Sequence, residues 1–273
     1  MPIIARSSVV LDHLEKIIIS SAWVGSIVLP ITVLGFRGNL LSWEIALSGL
    51  VIVHGLCAVA IFCGLLSFVP AIKGDRSPTG ESRVLMVLCS APIAASLYLV
   101  GLNGLGAALI NDISTDTTNP PSYKSASLMR ANNQNSTSYP GGGYGTRQLQ
   151  HYPDITSSYL DVSAQVAYRA ARYTVSLQGW QVMIADRSQG RIEAVSKTLM
   201  MGFEDDIVIR IRPLGSQRSV LDMRSSSREG TGDLGANAKR IREYLSKFQS
   251  VLIKQQNDLK YRAVRVDTVP AAT

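Results

Sequence analysis

Asp206-Ile207-Val208-Ile209-Arg210-Ile211-Arg212, followed after a Gly215-Ser216-Gln217 turn by Leu221-Asp222-Met223-Arg224, is the stretch on which the fold turns. Side chains alternate along an extended chain, so Ile207, Ile209 and Ile211 fall on one side. Asp206, Val208, Arg210 and Arg212 fall on the other, and Leu221 and Met223 alternate in the same way with Asp222 and Arg224. A one-residue slip would set the isoleucines against the charged side, so apolar matching fixes the parity of the pairing. A hairpin centred on Ser216 places Ile209 across from Met223 and Arg210 across from Asp222. The expected sheet has a core on one face and an ionic stripe on the other.

Two more strands precede this hairpin. Trp180 to Ala185 and Arg191 to Met201 flank an Asp186-Arg187-Ser188-Gln189-Gly190 turn. Before them, Val162, Val166, Ala170, Tyr173 and Leu177 recur at helical spacing over Ser163–Gln178, and Gly179 suits the C-terminal cap. After the hairpin, Asp233 can cap a last helix. Its apolar seam is Leu234, Ala238, Ile241, Leu245, Phe248 and Leu252, with Lys239, Arg240, Arg242 and Lys247 largely outside. Helix, four strands and helix predict a two-layer α+β domain with an antiparallel sheet.

The N-terminal half reads differently. Three apolar runs, about Ile17–Phe36, Ile45–Ile72 and Val84–Ile110, reach the roughly 20 residues that a helix needs to cross hydrocarbon. Trp23 and Trp43 lie near ends of the first two, where amphipathic rings favour the interface. Asp12 and Glu15 acidify the flank of the first run, which argues against a cleaved leader. Arg6 and Lys16 precede the first helix, and Lys73, Arg76 and Arg83 lie between the second and third, against Arg37 alone in the other loop. The excess predicts a cytoplasmic N-terminus and second loop, and puts the C-terminal domain on the opposite face, the periplasm of a two-membrane bacterium.

The expected architecture is thus a multi-pass membrane α-helical region followed by an α+β two-layer domain. Its divisions are a cytoplasmic segment (1–16), a three-helix transmembrane region (17–110), a polar lead-in with a flexible loop (111–151), the extramembrane domain (152–256) and a tail (257–273). Ser122–Arg147, rich in Ser, Asn and Gly, has too little apolar surface to order itself and reads as mobile. Within the spans His54 and Asn103 are polar, and no charged residue is present to extend a relay. An interhelical hydrogen bond, with Ser48 or Ser96 for His54, is the favoured role. Gly101, Gly104 and Gly106 are expected to permit close helix packing, and Pro92 to kink the third helix.

Most of the formal +7 charge lies after Asn111, giving a basic, solvated surface or one drawn to anionic lipid. Cys57, Cys63 and Cys89 all lie in apolar runs, leaving the outer domain without a thiol or disulfide. His13, His54 and His151 are far apart, which gives little support to a zinc site or a serine–histidine triad. Gly141-Gly142-Gly143 lacks the strand–loop–helix setting of a phosphate cradle. No cofactor, metal or nucleic-acid partner is expected.

Several motifs, in order, give the C-terminal half a family resemblance. They are Asp112-Ile113-Ser114-Thr115-Asp116-Thr117-Thr118-Asn119-Pro120-Pro121, Tyr152-Pro153-Asp154-Ile155, Gly179-Trp180 and Ile192-Glu193-Ala194. Then come Gly202-Phe203-Glu204-Asp205-Asp206-Ile207-Val208-Ile209-Arg210, Asp222-Met223-Arg224-Ser225-Ser226-Ser227-Arg228-Glu229-Gly230 and Asp233-Leu234-Gly235-Ala236-Asn237-Ala238-Lys239-Arg240-Ile241-Arg242. Together they resemble the domain-of-unknown-function 1499 family over roughly Asn111 to Gln249. The long Ser/Asn/Gly stretch before Tyr152 departs from that pattern, as does Ser196-Lys197-Thr198-Leu199-Met200 in place of a Thr-rich, aromatic strand end. The resemblance implies an envelope membrane, or a thylakoid-type one in a photosynthetic source, and no established reaction.

The polar motif residues fit three roles. In the first, carboxylates and guanidiniums form an internal network that includes Asp206, Asp222 and Arg240. In the second, Arg210, Arg224 and Arg228 wall an anion or lipid-headgroup site, with Asp233, Ser225 and Thr117 beside it. In the third, Asp116 and Asp206 serve as acid and base of a hydrolase or transferase. The expected partners are the lipid bilayer and an anionic lipid, an envelope polymer or a membrane protein.

Overall fold

A computed structural model describes residues 2–72, 77–100, 104 and 106–267. Lys73, Arg76, Gly101 and Asn103 lie outside the described residues, as does the tail beyond 267. The chain divides into two compact units, an N-terminal helical one and a C-terminal α+β one.

The first unit comprises α1 (Pro2–Arg37), α2 (Trp43–Ile72) and α3 (Gly80–Val100). Within them Val9–Arg37, Trp43–Val69 and Gly80–Tyr98 are long and apolar enough to cross a membrane. Trp23, Leu34, Val51, Phe62 and Leu65 are all exposed, an apolar outer surface suited to lipid. One expected boundary shifts. Helix α1 starts at Pro2, so residues before Ile17 are already helical. Ile110, the last residue of the third apolar run, is buried in the core of the second unit.

Contacts inside this unit are local and specific. His54 Nε2 meets Ser96 Oγ at 2.7 Å, an α2–α3 hydrogen bond, while Ser48 donates to Glu44 O of its own helix. The close approaches occur at Gly49, where a Cβ would collide with Thr32, and at Gly64, where it would collide with Met86. Gly106, expected to serve that purpose, falls in the second unit, and among the described residues nothing lies within 4 Å of its would-be Cβ. The Glu15 carboxylate accepts the Thr79 N–H at 2.7 Å, so the early part of α1 and the start of α3 share one end of the bundle.

The second unit runs β1 (Asp112–Ser114), α4 (Ala126–Met129), α5 (Tyr144–His151), β2 (Ser158–Leu160), α6 (Ala164–Leu177), β3 (Gln181–Asp186), β4 (Arg191–Lys197), β5 (Glu204–Pro213), β6 (Ser219–Ser227) and α7 (Ala236–Asp267). The antiparallel sheet has six strands, in the order β1-β6-β5-β4-β3, with β2 also paired to β6. The two strands beyond the expected four have three residues each, too short to display alternation. Ile209 pairs with Met223 and Arg210 with Asp222, the register expected of a hairpin centred on Ser216 and consistent with apolar parity.

One face of the sheet buries Ile192, Ala194, Ile207, Ile209, Ile211, Leu221 and Met223 in the main core with α6 and α7. The buried stripe of α6 is Ala167, Ala170, Ala171, Thr174 and Val175, whereas Tyr173 and Leu177, which spacing assigned inward, are 54% and 43% exposed. Small side chains suit the close contact made there: the fully buried Tyr244 of α7 donates its hydroxyl to Ala171 O at 3.2 Å. Its ring stacks between Trp180 and Phe248, with centroids at 5.5 and 6.2 Å. Gly179 (φ +69) ends α6 in a left-handed conformation that suits glycine. Leu234 (φ 52) precedes α7 and is exposed, so it does not join the seam.

Residues 115–143 lie over the opposite face as a strap. Ser122–Arg147 is not the structureless loop its composition suggested: it contains α4 and the start of α5 and is pinned by polar contacts. The Tyr123 hydroxyl donates to Asp206 O at 3.0 Å, Asn135 N to Arg228 O at 2.7 Å and Asn135 Nδ2 to Gly230 O at 2.8 Å. Tyr123, Ala126 and Val208 form a small second apolar cluster beneath it. Gln148 of α5 acts as a side-chain strand partner for β1, accepting Ser114 N at 2.9 Å and donating to Ser114 O at 2.7 Å.

Candidate functional site: the covered ionic face

The even-numbered residues of β5 and β6 project under the strap, and each charged group there meets a partner. Arg224 is 1% exposed. Its Nε and Nη2 donate to the two oxygens of Asp112 at 2.8 and 2.6 Å, Nη1 to Pro121 O at 3.1 Å, and Nη2 also to Thr137 O at 2.9 Å. The rings of Tyr123 and Tyr139 lie against the guanidinium, with centroids at 4.6 and 5.3 Å. Burial opposes the cation, but the Asp112 hydrogen bonds and neighbouring negative charge outweigh it and raise its pKa above the ordinary arginine value. Burial also drives the Tyr123 hydroxyl well above its usual pKa.

Two more clusters flank this centre. Arg228 donates to both oxygens of Asp206, at 3.1 and 2.8 Å, and to Glu204. Arg130 reaches in from the strap, donating to Asp206 Oδ2 at 2.7 Å and Ser226 Oγ at 3.1 Å. Further along β5, Arg210 Nη2 donates to Asp116 and Asp222, each at 2.9 Å. Arg212 and Ser157 also donate to Asp222, at 2.9 and 2.6 Å. On β4 the buried Glu193 accepts the N–H groups of Lys124 and Ser125, at 2.9 and 2.7 Å, and pairs with Arg191 at 2.8 Å.

The sheet separates residues that the sequence grouped together. Ser225, Asp233 and Arg240 belong to the α7 side. There Ser225 Oγ donates to Asn237 Oδ1 at 2.6 Å, and Arg240 pairs with Asp205 at 2.5 Å. Asp233 caps α7 by accepting Gly235 N at 2.9 Å and Asn237 N at 2.7 Å. Burial raises its pKa, partly offset by those donors. Thr117 lies against Gly145 of α5, where an added Cβ would come within 3.1 Å of it. Asp116 and Asp206 have different partners: Asp116 meets Arg210, whereas Asp206 meets Arg130 and Arg228.

A family model described as a protein of unknown function, DUF1499, matches residues 112–248. The chain belongs to the DUF1499 family. No curated protein matches it. The DUF1499 match opens on Asp112, the partner of Arg224, and closes on Phe248 of the aromatic stack, so it spans the charged face and the apolar core; the three apolar helices precede it. Among the described residues, no three His, Cys, Asp or Glu side chains are grouped to hold a metal ion.

Sequence reasoning about this DUF1499 domain missed Arg130, Glu193 and the two tyrosines around Arg224. Signals were present. Tyr123 and Tyr139 are aromatic residues in an otherwise polar stretch, and Arg130 is the one cation between Lys124 and Arg147. Each fits an anchoring role better than a solvated loop.

Proposed function

We propose that this DUF1499 protein is a membrane-anchored envelope protein whose C-terminal domain acts by binding rather than by bond-making chemistry. One observation carries the proposal: Asp112, Asp116, Glu193, Glu204, Asp206 and Asp222 on the charged face are each engaged by a guanidinium. Paired carboxylates work as acid and base when their environments push their proton affinities apart around a shared substrate. Carboxylates fixed by arginines instead serve as internal struts. The ligand classes within reach of a tethered basic domain are an anionic lipid, an anionic envelope polymer or a membrane protein.

The orientation belongs to the same proposal. The Glu15–Thr79 contact puts the early part of α1 and the start of α3 at one end of the bundle, and Lys16 and Arg83 lie close in sequence to them. The positive-inside rule makes that end cytoplasmic and the domain after α3 periplasmic, or lumenal in a thylakoid-type membrane.

Asp206→Asn separates binding from catalysis. An acid–base aspartate should lose turnover in this variant and keep its stability. A strut shared by Arg130 and Arg228 should instead cost about 1–3 kcal/mol on unfolding. An Asp206→Asn protein with an unchanged unfolding midpoint would contradict the strut role. Mass spectrometry of molecules that co-purify from native membranes then identifies the ligand class.

A further inference from the structure

Most arginines of the C-terminal unit are matched to carboxylates; among the described ion pairs Arg147, Arg169, Arg172 and Arg187 have none, and the last three line one cleft. On the outer side of α6, Arg169, Arg172, Tyr173 and Ser176 follow the i, i+3, i+4, i+7 spacing of a single helix face. With Tyr168 and with Arg187 from the β3–β4 turn they line an open cleft of about 370 Å³. Among the described ion pairs, none involves Arg169, Arg172 or Arg187. Arg187 Nη2 donates only to the neutral Gln165, at 2.9 Å. The nearby Asp186 carboxylate is turned into its own loop, where it accepts Ser188 Oγ at 2.6 Å and Gln189 N at 3.0 Å.

Tyr168 sits at the floor of this cleft. It is 7% exposed, and Arg172, Asp186 and Arg187 are the charges that act on its hydroxyl. Three guanidiniums line this cleft with no ion pair among the described residues, and an incoming anion would supply the opposite charge. A dianion satisfies such a group better than one carboxylate would, and planar guanidiniums match phosphate oxygens in bidentate fashion. The tyrosine rings supply a flat apolar surface beside the charge.

We propose that the α6 cleft binds a phosphate ester, with Arg169, Arg172 and Arg187 around the phosphoryl oxygens and Tyr168 and Tyr173 against the organic part. This rests on the membrane-anchored binding domain argued above and names its ligand chemistry. The same group occurs on a phospholipid headgroup and on a soluble metabolite, so the test has an arm for each.

Full-length protein in zwitterionic nanodiscs is titrated with glycerol 3-phosphate, and separately with vesicles containing phosphatidic acid. The proposal expects saturable binding in at least one arm, weakened by added salt. Arg169→Gln/Arg172→Gln should weaken it about tenfold or more at an unchanged unfolding midpoint, because neither side chain has an ion pair to lose. Binding to vesicles alone assigns the site to lipid; binding to glycerol 3-phosphate assigns it to a soluble ester. Arg242→Gln, which removes a guanidinium already paired with Asp154, should bind as the parent does. Equal binding by the parent and the double variant overturns the cleft assignment but leaves a binding domain standing. Absence of binding in both arms overturns the phosphate assignment, and a defined ligand recovered from native membranes would then preserve the broader reading.

Discussion

On the helical face of the sheet, Ile207, Ile209, Ile211, Leu221 and Met223 meet α6 and α7 through apolar contact. One position along the same two strands, Asp206, Arg210, Asp222, Arg224 and Arg228 pair with one another and with Asp112 of β1, and the strap adds Asp116 to Arg210, Arg130 to Asp206 and the Pro121 and Thr137 carbonyls to Arg224. The difference lies in what each face demands of its cover. Apolar surface accepts any complementary apolar shape, because burial energy follows area and not direction. A buried guanidinium must find its carboxylate and carbonyls at fixed angles, since leaving one unpaired costs far more than the pair contributes. The ionic face can therefore be buried only under a segment that carries the matching groups, and residues 115–143 do so without a large apolar surface.

That comparison can be broken by unequal penalties. Arg224→Ala, which strands Asp112, should cost about 3–5 kcal/mol, and Ile209→Ala on the opposite face about 2–5 kcal/mol, both read by denaturant unfolding. A cost near zero for Arg224→Ala would mean that the charged face is not held closed. Arg130→Ala leaves Asp206 with Arg228 and should lose about 1–3 kcal/mol. It should also speed hydrogen exchange at Asn135, whose N–H bonds to Arg228 O.

The smallest expected effect is that of pH. Burial raises the Asp233 pKa above the ordinary 3.8, and Glu229 is raised for the same first reason. A raised carboxylate contributes stability that is full below its unfolded pKa and is lost as pH rises through the folded value. Asp233→Asn should therefore flatten part of the fall in unfolding midpoint above about pH 4. Glu229 keeps the remainder.

The parts of this fold legible in the sequence were those written as alternation or length. The Arg210–Asp222 register followed from isoleucine parity together with a turn centred on Ser216, and the His54–Ser96 bond from a polar residue with few partners in an apolar span. The α6 face was misread because Tyr173 and Leu177 are large, while the buried stripe is made of alanines that accommodate Tyr244. Strands β1 and β2 were too short to show a period. The ionic site was half visible. Its acids and arginines stood out, but their sorting onto opposite faces needed the sheet, and Arg130 meets Asp206 from 76 residues away with no local pattern to announce it.

A double-mutant cycle on Asp112 and Arg224 in the full-length protein tests the central claim most directly, with unfolding free energy as the readout. If the charged face is an internal brace, Asp112→Ala and Arg224→Ala each destabilise by several kcal/mol, and the double variant costs clearly less than their sum, a coupling of about 1–3 kcal/mol. Single variants that unfold like the parent, with no coupling, would contradict it and return these residues to the search for a ligand.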